Sequence, residues 1–214
     1  MDTNIAYLAI AALPLIFAIS MHEAAHAYAA RHFGDHTAEK LGRISLNPMR
    51  HIDPIGTILL PSLLFVFSNF WFGYAKPVPV NFGRLRNPKK DMLWVALAGP
   101  AANFFMALVW ALLGALVKAA PPNLYSEALL TMGEIGIRIN LILMYLNLLP
   151  LPPLDGGRIM VSLLPMPLAQ RFARIEPFGF PILILLALSG ALWVILGPLI
   201  DGTAFFIRLL FPFS

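Results

Sequence analysis

Apolar positions dominate this chain, and they come in long runs instead of the alternating stripes of a water-soluble fold. The first run begins near Ile5 and carries almost no charge before Arg31, so it predicts a helix from about Asn4 to Phe33, ended by Gly34. A loop follows over Asp35–Pro54, with turn signals at Asn47-Pro48 and Asp53-Pro54. Gly56–Tyr74 is apolar again but interrupted by Pro61, and Lys76–Asn81 reads as extended because Pro77 and Pro79 disfavour helix. A long apolar helix is expected from about Asp91 to Lys118, then a turn at Pro121-Pro122-Asn123 and a short polar-edged segment over Glu127–Met132. Gly133–Leu149 predicts another helix, stopped by Pro150-Leu151-Pro152-Pro153. Helix resumes over Arg158–Leu164 until Pro165 and Pro167 break it. A final span is expected from about Phe178 to Leu196, leaving Ile200–Phe213 as an apolar tail. No internal repeat or low-complexity tract is visible.

Composition turns these runs into membrane segments. Only 12% of the 214 residues are charged and the mean hydropathy is +0.76, whereas soluble domains carry about 25% charged residues. Several runs approach the ~20 apolar residues that cross a bilayer. The expected fold is all-α, a polytopic transmembrane bundle of about 5–6 membrane segments forming one domain over 1–214. Gly56–Tyr74 is a candidate short membrane-embedded β-hairpin or re-entrant element. The net charge of +4 and pI of 9.6 come from cationic loops, and no basic cluster interleaves with aromatics, so nucleic acid is not an expected partner. The N-terminus lacks the basic start and cleavage site of a signal peptide, which makes the first run a retained helix.

Charge sidedness orients the bundle. Twelve of the fifteen cations (Arg31, Lys40, Arg43, Arg50, Lys76, Arg84, Arg86, Lys89, Lys90, Arg158, Arg171, Arg174) fall on one side if Gly56–Tyr74 enters the membrane and returns. The positive-inside rule makes that side cytoplasmic. This predicts a multi-pass protein of the cell membrane.

The chemistry sits inside the first helix, in His22-Glu23-Ala24-Ala25-His26. Residues i and i+4 share a helix face, so His22 and His26 can offer two imidazoles to one ion, with Glu23 beside it to take a proton from water. Burying two imidazoles and a carboxylate in an apolar helix is costly unless they are paired or metal-bound. The chain has no cysteine, which limits a zinc site to histidine and carboxylate. Asp155, after the proline turn and before Gly156-Gly157, is the best third ligand, its glycines permitting backbone conformations that return the carboxylate to the first helix. The alternative is an ordinary turn with a solvated aspartate.

These motifs together resemble the site-2 protease family of intramembrane zinc metalloproteases. The chain carries His-Glu-x-x-His (His22, Glu23, His26), Gly-Pro-x-x-Asn (Gly99, Pro100, Asn103) and Asn-x-x-Pro with Leu-Asp-Gly (Asn147, Pro150, Leu154, Asp155, Gly156) in that order. It looks like the compact form, without PDZ or cystathionine-synthase-like domains. The resemblance implies one zinc held by His22, His26 and Asp155, Glu23 as general base, and peptide hydrolysis within or beside transmembrane segments of single-span membrane proteins in the lipid bilayer. A homo-oligomer stays open.

Asn147 is placed to donate to a substrate carbonyl or the developing oxyanion, and Asn103 is a candidate for a similar role near the site. Lys76–Asn81 could pair, strand-like, with an extended substrate. His51 and Asp53 suit loop stabilisation, His32 and His36 the membrane interface. Glu134 and Arg138, one turn apart, are expected to pair with each other. The alternative function is a membrane zinc transporter using the same three ligands, which would need further ligands along a transmembrane path.

Overall fold

The computed structural model describes residues 2–47 and 77–213, and these contain α-helices, one 3₁₀ turn and no strand. The stretch Gly56–Tyr74, with its hairpin or re-entrant reading, lies outside the described residues, as do His51 and Asp53.

Helix α1 (Asp2–His32) ends as the pattern predicts. Gly34 takes φ 106°, its N–H bonds to the Arg31 carbonyl at 3.0 Å, and Asp35 N–H bonds to the Ala30 carbonyl at 2.8 Å. These paired bonds form a Schellman cap, which needs a left-handed residue at Gly34. A single turn, α2 (Thr37–Lys40), follows. After residues 77–81, which form no regular element, and the 3₁₀ turn Phe82–Arg84, helix α3 runs from Pro88 to Ala119. It starts one turn earlier than the apolar pattern suggests, because Pro88 suits the first helical position and Asp91 Oδ2 accepts the Asn87 N–H at 2.7 Å. Helix α4 (Ser126–Leu148) likewise absorbs Glu127–Met132. There Ser126 Oγ accepts the Asn123 N–H at 2.9 Å, and Glu127 suits the positive helix end.

Three shorter helices follow: α5 (Asp155–Leu163), α6 (Met166–Ala173) and α7 (Glu176–Leu188). The expected last span is divided. Gly190 adopts φ 77°, closing α7 and launching α8 (Ala191–Leu210), so most of the predicted apolar tail belongs to a long helix.

Among the described residues, four helices are long and apolar enough to cross a membrane: Ala9–His32 within α1, and α3, α4 and α8. Helix α7 is apolar but shorter. Only 28% to 39% of each spanning window is buried within the molecule, so most of the apolar surface faces outward, with Trp94, Phe105, Leu116, Trp193 and Phe206 on it. Such a surface suits lipid. Helices α1, α3 and α4 pack on one another, α5 lies against α3, and α8 against α4. The main core joins Trp110 and Ala111 of α3, Ile137 and Leu141 of α4, and Leu196 and Ile200 of α8.

The expected Glu134–Arg138 pair does not form. Glu134 instead receives two bonds from Arg208 of α8, at 2.5 and 3.2 Å, and Arg138 lies 3.5 Å from Asp201. The neighbouring helix α8 supplies both partners, and Arg208 meets the Glu134 carboxylate with two nitrogens.

Candidate metal centre

Helix α1 places His22 and His26 on its inner face, where α3 crosses closest. Gly99 of α3 makes that crossing feasible: a Cβ there would run into both imidazole rings. The rings meet edge to face with centroids 4.6 Å apart.

Asp155 arrives from the opposite end of the sequence as the first residue of α5. Prolines stop α4 at Leu148, and α5 folds back so tightly that a Cβ on Gly156 would strike the Leu148 and Leu149 carbonyls. One on Gly157 would strike the Pro152 backbone. Both glycines are helical and neither has positive φ. They are needed for close approach, not for the unusual backbone conformations expected of them. Gly179 of α7 presses on the other side of the same turn, against the Pro152 carbonyl.

Three ligand atoms converge. His22 Nε2 and His26 Nε2 are 3.0 Å apart, and Asp155 Oδ2 lies 3.3 and 3.2 Å from them. All three residues are buried. The proton positions follow from the other ring atoms. His26 Nδ1 faces the Val95 carbonyl at 2.7 Å and must donate to it. His22 Nδ1 faces Asn103 Oδ1 at 2.6 Å. That amide is oriented by its Nδ2, which donates to the Ala18 carbonyl at 3.1 Å and to Asn140 Oδ1 at 3.0 Å. In the neutral form, each imidazole would carry its hydrogen on Nδ1 and turn its Nε2 lone pair inward. Apart from these two imidazole nitrogens, Asp155 Oδ2 has no hydrogen-bond partner. Three buried ligand atoms of these types, facing one another at 3.0–3.3 Å, suit a cation. Ligands about 2.0–2.1 Å from a tetrahedral zinc stand about 3.3 Å apart, close to these three separations. Among the described residues this is the cluster of histidine and acidic groups able to hold a metal, and His32 and His36 are not in it.

The profile of peptidase family M50 matches residues 114–189, which include Asn147 and Asp155. The Bacillus subtilis protein named "Putative zinc metalloprotease YwhC" is 38% identical over 193 residues, covering 89% of this chain and 85% of its own length. The chain belongs to peptidase family M50, the site-2 protease family. Proteins named "Putative zinc metalloprotease Rip2" also match this M50 chain. The one from Mycolicibacterium smegmatis is 31% identical over 178 residues and the one from Mycobacterium tuberculosis 28% over 180. Each match covers 83% of this chain and 66% of the relative. No solved structure matches. With its four long apolar helices, this M50 metalloprotease is a membrane protein.

A cavity of about 900 Å³ opens beside the cluster in the M50 chain, lined by His22, Glu23, His26, Asn147 and Asp155 and otherwise mostly by apolar groups such as Val80, Leu146, Phe180 and Leu183. Glu23 lies on its wall and its Oε2 accepts the Val78 N–H at 2.7 Å. Asn147 is on the wall too. One of its amide hydrogens goes to the Leu143 carbonyl at 2.9 Å, and an amide has a second. Asn103 is elsewhere: fully buried behind His22, with its hydrogen bonds all to protein groups and off the cavity wall. It lies near the site, behind an imidazole and not on the cavity wall. Asn140, absent from the sequence reading, stands behind Asn103. The signal for it was an amide in the middle of an apolar span, which needs a partner.

The stretch 77–80 borders the cavity, as the strand-pairing idea requires, but its donors are mostly committed. Pro77 and Pro79 have none, Val78 donates to Glu23, and Asn81 donates to Asp35 Oδ2 at 2.6 Å. Asp35 also accepts from Thr37 N at 3.0 Å and Thr37 Oγ1 at 2.5 Å. Burial alone would raise its pKa, but the bonds from the Thr37 hydroxyl and the Asn81 and Thr37 amides outweigh it and hold the carboxyl below its ordinary value.

Proposed function

We propose that this chain is an intramembrane zinc metalloprotease, hydrolysing peptide bonds within or next to transmembrane segments of other membrane proteins. One observation carries the reading: two imidazole nitrogens and a carboxylate oxygen converge at the wall of an apolar cavity, inside a bundle of spanning helices. One zinc per chain fits the donor set, held by His22 Nε2, His26 Nε2 and Asp155 Oδ2. When bound, zinc supplies Lewis acidity toward a carbonyl and toward water.

The chain's own residues do the rest. Glu23, on the same wall but not in the ligand cluster, takes a proton from water and returns it to the departing amine nitrogen. The Val78 N–H fixes one carboxylate oxygen and leaves the other for this transfer. Asn147 offers its second amide hydrogen to the substrate carbonyl as negative charge develops. Apolar walls exclude bulk water and suit the side chains of a locally unwound, single-span membrane segment. The site end of the bundle faces the cytoplasm. Supporting this, Arg86 and Lys89 reach the backbone carbonyls of His32 and Leu164 at that end, where Lys40, Arg84 and Lys90 are close in sequence.

The test compares wild type with Glu23→Gln in liposomes containing a single-span substrate. Cleavage should fall ~10²–10⁴-fold, as for loss of a positioned general base, while zinc content is retained. Undiminished cleavage would overturn the assignment of Glu23. Zinc flux without any cleavage by wild type would replace the protease reading with a transporter.

A further inference from the structure

Helix α4 contributes nothing to the metal cluster, yet its Asn140 is fully buried within an apolar span. A buried amide there is expensive unless its nitrogen and its oxygen both find partners, and both do. Asn140 Nδ2 donates to the Gly136 carbonyl at 2.8 Å, and a carbonyl can only accept. This turns Asn140 Oδ1 toward α3, where it accepts from Asn103 Nδ2 at 3.0 Å. The other hydrogen of Asn103 Nδ2 goes to the Ala18 carbonyl of α1 at 3.1 Å. Asn103 Oδ1 is thereby left facing His22 Nδ1 at 2.6 Å. The Gly136 and Ala18 carbonyls can only accept, so every bond in the series has one direction. Packing keeps the donors in reach: Gly136 sits so close to Trp110 of α3 that a Cβ would enter the indole ring.

We propose that Asn140 is a positioning residue for the metal centre. Through Asn103 it holds the His22 hydrogen on Nδ1, so that Nε2 presents its lone pair beside His26 and Asp155. This rests on the zinc reading above and adds a residue two side chains removed from the ion. Without the Asn140 oxygen, one hydrogen of the Asn103 amide loses its acceptor and only the Ala18 carbonyl resists rotation. Rotation would turn the amide nitrogen toward His22 Nδ1 and favour the hydrogen on Nε2, where it blocks the metal. Outer partners of metal-bound histidines typically matter by 10–100-fold in affinity. With one of two restraints kept, about tenfold is expected.

The experiment measures zinc affinity of the full chain in lipid nanodiscs by competition with a chelator. Asn140→Leu should lose about tenfold in affinity, while Asn140→Asp, which keeps an oxygen facing Asn103, should stay near wild type. In an Asn103→Leu background, Asn140→Leu should add nothing, because its effect passes through that amide. Wild-type affinity in Asn140→Leu, equal losses in the Leu and Asp variants, or additive losses in the double variant would each overturn the inference. A reading that needs no variant is the nitrogen-15 spectrum of wild type loaded with cadmium-113. Metal coupling should appear at Nε2 of His22 with the hydrogen on Nδ1, and the reverse overturns the inference. If wild type binds neither zinc nor cadmium, the metal reading falls and this inference with it. If wild type binds and Asn140→Leu matches it, this inference alone falls.

Discussion

The backbone N–H of Val78 donates to the Glu23 carboxylate across 2.7 Å, joining an extended segment to the helix that carries the histidines. Glu23 adjoins His22 in sequence but projects about 100° away around the helix, so it needs its own restraint. Val78 lies between two prolines, in a stretch with few other donors, and this one points inward.

Val78→Pro removes that donor in a segment already extended on both sides. The expected result is a fall of roughly tenfold in kcat, about 1.4 kcal/mol of transition-state stabilisation, with zinc content unchanged. Steady-state cleavage together with metal analysis checks it. Loss of zinc in this variant would mean that the segment supports the histidines and not the base.

Gly99→Ala tests the closeness of α1 and α3. The added methyl would meet the rings of both His22 and His26. Overpacking of this kind costs about 1–3 kcal/mol of stability, and displaced imidazoles should lower zinc affinity at least about tenfold. Thermal unfolding and chelator competition measure the two effects separately. Gly197→Ala, whose Cβ would meet nothing within 4 Å, is the matched control and should change neither.

Asp35 predicts a pH dependence outside the membrane segments. Its folded pKa lies below the ordinary carboxylate value. The stabilisation it contributes is therefore complete above the unfolded pKa near ~3.9 and is lost as pH falls through the lower folded value. Protease nicking of the 77–81 stretch should rise over that acid range in wild type. Asp35→Asn should be nicked more readily already at neutral pH and respond less to acid. An identical acid response in the two would remove Asp35 as the tether of this stretch.

What could be read from the chain alone follows from how far each interaction reaches. His22 and His26 are visible because helical periodicity fixes their common face, and the C-terminal end of α1 because Gly34 is a local signal. Asp155 was found through a motif; no spacing rule says that a residue so distant returns to the same point. The Asn103–Asn140 contact depends on which faces of α3 and α4 abut, which periodicity does not encode. For the same reason Glu134 pairs with Arg208 and not with the cation one turn away. Helices α3 and α4 extend beyond their apolar cores because Asp91 and Ser126 secure polar first turns. Gly190 divided a run whose hydropathy alone looked continuous.

The turn that delivers Asp155 is clamped from both sides, by Gly156 and Gly157 on α5 and by Gly179 on α7, with no side chain between the backbones to act as a cushion. Phe180, next to Gly179, and Leu183, one turn further along, form part of the cavity wall. A bulky guest that leans on that wall therefore pushes, through the Pro152 carbonyl, on the stem of the carboxylate itself. Widening the chamber and keeping the acid in register become a single mechanical problem, and how far α7 can yield sets an upper size for what the chamber can admit.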